Sequence, residues 1–105
     1  MILATTYEVP GKEFEIVGLV NGNTVQSKNA IKDLGAGLKS IIGGEVGSYM
    51  KMISEARETA TQRMVEMAEG MGADAIVGIR YGSSSIMEGA SELFAYGTAD
   101  RKSVV

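Results

Sequence analysis

The stretch GSYMKMISEARETATQRMVEMAEG, residues 47–70, decides the fold. Set about 100° apart around an axis, its apolar side chains gather on one face. Val46, Tyr49, Met50, Ile53, Ala56, Ala60, Met64, Met67, Ala68 and Met71 share that face, and Lys51, Glu55, Glu58, Gln62, Glu66 and Glu69 lie opposite. Met52 and Val65 widen the arc on its two flanks. The spacing predicts a long amphipathic helix that starts at Gly47 or Ser48, ends at Gly70 and spans about 35 Å. An arc this wide suits a helix that packs on a sheet and also touches a second helix or a subunit.

Arg57 breaks the pattern. It projects about 40° from Ile53, inside the apolar arc. An arginine there either snorkels to water or finds acceptors, because an unpaired buried charge costs several kcal/mol. The candidate acceptors are Asp33, Asp74, Glu92, Asp100 and backbone carbonyls, including those of a neighbouring subunit.

On either side of this helix the period changes. Gly72 is placed to cap it, and DAIVGIRYG (residues 74–82) reads as a strand, apolar enough through Val77 to be central. SSSIMEGAS (83–91) is expected to be a loop, ELFAYGTAD (92–100) the last strand, and RKSVV a tail. Upstream, ILATTYEV (2–9) is β-prone, PGK (10–12) turns the chain, and EFEIVGLV (13–20) is a second strand. Asn21-Gly22 is a two-residue hairpin signal. The chain beyond it either folds back there or continues the same strand past a bulge. SKNAIKDLGAGLKSII (27–42) carries Ile31, Leu34, Leu38 and Ile41 at helical spacing, with Gly43-Gly44 as its stop. The order is β-β-α-α-β-β. It predicts an α+β two-layer sandwich, a mostly antiparallel sheet covered on one face by one long and one short helix. Glycines 18, 78, 82 and 97 are expected to let helix backbone approach the sheet.

The 105 residues suit a single domain, 1–105. A chain of this length buries roughly 60–65% of its unfolded surface, so self-association would add stability. A net charge of −3 without a basic block argues against nucleic acid as a partner. Cys and His are both absent, which removes disulfides, thiol nucleophiles, Cys/His zinc sites and any triad with a histidine base. MILATTY lacks the basic n-region of a signal peptide, and no run approaches the length of a membrane span, so a cytoplasmic protein without membrane contact is expected.

The motifs that invite a chemical reading each have a plainer one. GAGLKSIIGGEVG (35–47) fails as a dinucleotide fingerprint because position 40 is Ser, and it contains no P-loop. It reads as a helix-to-helix turn whose free N–H groups could hold an anion. Seven methionines suggest a soft-metal site, but Met50, Met64, Met67 and Met71 keep core spacing. The helix carboxylates follow a solvated face and form no acid/base pair by spacing. Ser83, Ser84 and Ser85 have no visible base.

IIGGEVGSYMKMISEARETA (41–60), GADAIVGIRY (72–81) and AYGTA (95–99), together with ATT (4–6) and GLVNG (18–22), resemble the YbjQ-like family, which carries a heavy-metal-binding label. The resemblance spans essentially the whole chain. Gly43, Gly44, Gly47, Tyr49, Ala56, Arg57, Gly72, Ala73, Asp74, Gly78, Gly97 and Thr98 match its pattern. Glu45 stands where a basic residue is common, and Met50 where an acidic one is. The resemblance implies a dodecin-like α+β subunit that assembles as a ring, a pentamer, with no established enzymatic activity. It transfers no ligand set, and only oxygen ligands or methionines remain here for a metal ion.

The leading expectation is a non-enzymatic, ring-forming homo-oligomer whose partner is itself, with no cofactor, binding a small ligand or ion between subunits. Glu45, Tyr49, Arg57 and Asp74 are the candidates for ligand or subunit contact. The alternatives are a heavy-metal-binding protein and an enzyme with an inter-subunit site built from Tyr49, Arg57 and carboxylates.

Overall fold

The computed structural model describes residues 1–27 and 45–103. Its elements are β1 (Ile2–Leu3), β2 (Phe14–Ser27), α1 (Glu45–Gly70), β3 (Ala75–Met87) and β4 (Ala90–Lys102). The class is α+β, one helix on a four-stranded mixed sheet of order β1-β3-β4-β2. β4 pairs antiparallel with both β2 and β3, and β1 runs parallel to β3. The expected short helix over residues 27–42 and its Gly43-Gly44 stop lie outside the described residues.

The helix forms where its periodicity places it. Gly72, at φ 76°, ends it: its N–H donates to the Glu69 carbonyl at 3.0 Å, and the Ala73 N–H to the Ala68 carbonyl at 3.0 Å. This pair of bonds is a Schellman cap, and it satisfies carbonyls that the last turn leaves free. Ala56, Ala60, Met64 and Ala68, four residues apart, are buried against the sheet. Ala60, Met64 and Ala68 meet Val20 of β2, Ile76 and Ile79 of β3, and Ala95 and Ala99 of β4 in one core. Small residues on both layers bring the helix close.

The closest approach is at Gly22. An added Cβ there would run into the Ala60 carbonyl oxygen, the Met64 nitrogen at 2.5 Å and the Arg63 Cβ at 3.0 Å. Asn21-Gly22 is therefore no hairpin turn. β2 runs straight through it, and the bulge lies earlier, between Ile16 and Gly18. The expectation for glycines 18, 78, 82 and 97 is also corrected. Gly18 faces the Met71 side chain, Gly78 the Tyr7 ring, Gly82 the Phe94 ring, and Gly97 the side chains of Ile76 and Ile79 and the Val77 carbonyl. None of the four meets helix backbone.

The serine stretch is a second correction. It is not a loop: β3 continues to Met87 and β4 starts at Ala90, joined through Glu88 and Gly89. Cross-strand pairing decides this, because hydroxyl side chains on a half-open face do not prevent a ladder. At the other end, the first strand is shorter than expected. Beyond Leu3 the chain stays bound to β3 by irregular bonds, Ala4 N–H to the Ile76 carbonyl at 2.9 Å and Gly78 N–H to the Thr6 carbonyl at 2.8 Å. Arg80 clamps this arm. It donates to the Thr5 carbonyl at 3.0 Å and the Tyr7 hydroxyl at 3.3 Å, with its guanidinium 5.6 Å from the Tyr7 ring centre.

The sheet face away from α1 is open over much of its length. Leu19 and Val25 are 69% and 57% exposed there. Phe94 and Tyr96 stand between them and β3, with ring centres 6.0 Å apart.

Candidate functional site

Arg57 projects from the flank of α1 on the side of β3 and is exposed. It is not in the buried stripe, because that stripe advances by four residues per turn through Ala56 and Ala60 and leaves position 57 beside it. A groove of about 290 Å³ lies under this flank, lined by Leu3, Arg57, Thr61, Val65 and Tyr81. The Thr61 hydroxyl donates to the Arg57 carbonyl at 2.7 Å. That hydroxyl has one proton, so the Tyr81 hydroxyl, 2.8 Å away, donates to it. The result is a permanent cation beside an ordered pair of hydroxyls and an apolar wall. It suits a partner that brings an acceptor.

Of the carboxylates expected as acceptors for Arg57, the three among the described residues are engaged elsewhere or buried. Asp74 Oδ2 accepts the Lys102 backbone N–H at 2.9 Å, so Asp74 fastens the loop after α1 to the end of β4. Glu92 takes the Asn23 amide at 3.1 Å and the Ser84 hydroxyl at 3.2 Å. Asp100 is 8% exposed, and its Oδ1 has no hydrogen-bond partner. Burial pushes the Asp100 carboxyl above its ordinary pKa. Asp33 and the side chains of Glu45 and Tyr49 lie outside the described residues. Arg57 sits thirteen residues before the end of α1, about 20 Å along the axis, so Arg57 and Asp74 do not form one site.

A wider cleft of about 520 Å³ opens between the first half of α1 and the β3–β4 hairpin, lined by Met52, Ile53, Ala56, Ser83, Ser85 and Leu93. The partnership of Thr61 with Tyr81 had no sequence signal, since twenty residues and a change of period separate them. The exposure of Ile53, 48%, was equally hidden: helical spacing puts it on the core face, and there the helix stands off the sheet across this cleft.

A family model described as "Putative heavy-metal-binding" matches residues 1–102. The chain belongs to the YbjQ family. A UPF0145 protein of Vibrio parahaemolyticus is 59% identical over 100 residues, covering 94% of this chain and 95% of the relative. A UPF0145 protein of Clostridium novyi is 54% identical over 99 residues, covering 94% and 96%. A crystal structure of a protein of unknown function from Pediococcus pentosaceus, assigned to the DUF74 family, shares the fold with a TM-score of 0.68 at 15% identity, over 98% of both chains.

The YbjQ description allows a metal. No group of three or more His, Cys, Asp or Glu side chains converges among the described residues. Met64 is wholly buried in the core, and its thioether is packed as a hydrophobe. Among the described residues no helix is long and apolar enough to cross a membrane.

Proposed function

We propose that this YbjQ-family chain is a non-enzymatic subunit of a ring-forming homo-oligomer, a pentamer, in the cytoplasm, with the Arg57 groove at a subunit contact. The observation that carries this reading is the incomplete surface of the single chain. Leu19, Val25, Met50, Ile53 and Met87 are each about half exposed or more. Large apolar side chains left exposed on the outer sheet face and on the first half of α1 are surface that a neighbouring copy can cover. Arg57 then finds its acceptor on the next subunit, or holds a small anionic ligand trapped there.

Light scattering coupled to size exclusion tests the assembly. A single species of five subunit masses is expected, and a stable monomer removes the reading. The second reading, metal binding, is favoured by the family description alone. Elemental analysis of untagged protein purified without chelator decides it, and stoichiometric metal per subunit would reverse the order of the two.

A further inference from the structure

Among the described residues the sheet has two unfinished edges. β2 pairs with β4 on one side, and its other side meets no strand among the described residues. β3 is bordered by the N-terminal arm as far as residues 79–80. Over residues 81–87 it pairs with β4 and with no other strand among the described residues. A free edge is a row of unpaired N–H and C=O groups, which proteins normally guard with proline, lysine or short strands. β2 is fourteen residues long and contains no Pro, Lys or Arg.

We propose that β2 of one copy pairs with residues 81–87 of β3 in the next copy, so that the sheets of neighbouring subunits join edge to edge. The inference rests on the ring reading above and names its contact. Strand direction selects the arrangement. β2 and β3 are both antiparallel to β4 and so run the same way. A rotation about an axis lying roughly along the strands brings β2 of one copy beside β3 of the next in parallel pairing. The contact is heterologous and each copy uses both edges, which is the condition for ring closure. Pairing of β2 with β2 would need a two-fold axis, stop at a dimer and leave every β3 edge open.

Both edges also carry exposed apolar side chains. β2 brings Leu19 and Val25, and β3 brings Tyr81, Ile86 and Met87 at 45%, 49% and 65% exposure. A foreign extended peptide would satisfy one edge only. A second copy satisfies both, and this is why it is the occupant assigned.

The chain has no cysteine, so engineered thiols report this contact alone. Within one chain β4 separates β2 from β3 by about 9.6 Å, beyond the roughly 7 Å that a disulfide can bridge. Any β2–β3 disulfide must therefore join two copies. Ser84→Cys is combined in turn with Leu19→Cys, Asn21→Cys, Asn23→Cys and Val25→Cys, which share the outer face by register. Mild oxidation is followed by a non-reducing gel. At least one double variant is expected to give a ladder of covalent multimers that ends at the mass found by light scattering and collapses on reduction.

Amide hydrogen exchange on the unmodified protein accompanies the scan, and slow exchange is expected at every amide from Asn21 to Gln26. Fast exchange at alternate amides of an oligomer overturns the edge contact. So does protection without any link, which would assign the edge to the chain's own residues 28–44 or to another occupant. Links from single β2 thiols overturn it in favour of a two-fold dimer. A monomer by light scattering overturns it together with the ring, whereas an unlinked oligomer overturns the edge contact and leaves the ring standing.

Discussion

At Gly22 a single hydrogen atom sets the distance between the two layers. Replacing it with a methyl group drives carbon into the backbone of α1 at Ala60 and Met64, and backbone cannot rotate away. Gly22→Ala is expected to cost about 3 kcal/mol, an overpacking penalty. For a domain of this size that lowers the melting midpoint by roughly 10–20 °C, measured by circular dichroism. A midpoint within a few degrees of the parent would mean the layers are looser than described. Asp100 gives a different kind of test. Its pKa is raised by burial, so its contribution to stability is complete below its ordinary value of 3.8 and is lost as pH climbs through the raised value. Asp100→Asn removes that titration. The stability of the variant relative to the parent should therefore rise between pH 4 and pH 7 in urea melts. A constant difference across that range would show that Asp100 titrates normally.

At the scale of the element, two neighbouring glycines at the end of α1 are expected to respond in opposite directions. Gly70 lies within the helix with open space around its Cβ position. Gly70→Ala should raise stability by about 0.5–1 kcal/mol through helix propensity and a less flexible unfolded chain. Gly72 holds the left-handed conformation of the cap, where Gly72→Ala should cost about 1 kcal/mol or more. Thermal melts of the two variants check the signs, and a shared sign would contradict the cap. The helix itself was legible because a repeat near 3.6 survives over seven turns. The β3–β4 hairpin was not. Its distal half has three serines and two exposed apolar residues, with no alternation to read, and only its pairing with β4 makes it strand.

For the whole molecule, stability and assembly are expected to be linked. If folding and association are coupled, the melting midpoint rises with protein concentration. A hundredfold dilution should lower it measurably, and a midpoint independent of concentration would speak for a self-sufficient monomer. Arg57 belongs to the same scale. It is exposed in the single chain and has no carboxylate within ion-pair distance among the described residues. Arg57→Ala should leave the helical signal unchanged while shifting mass toward smaller species in light scattering. Unchanged mass would place Arg57 outside the contacts.

Local periodicity and composition were sufficient for the α+β class, the long helix and its Gly72 cap, and the central strand after it. Each rests on neighbours in sequence, and the repeats of helix and strand are local properties. The YbjQ resemblance was legible in the same way, from glycine, tyrosine and arginine positions spread over most of the chain. Tertiary structure decided the rest: that β2 passes through Asn21-Gly22 without turning, that the serine stretch is half of a hairpin, that Ile53 and Arg57 stand outside the core, and that Thr61 meets Tyr81. Pairing energy between distant strands outweighs turn propensity at Gly22, because a glycine there admits the helix at closer range than any other residue. Whether an apolar position is buried depends on how closely the opposing layer approaches, which helical spacing alone does not encode.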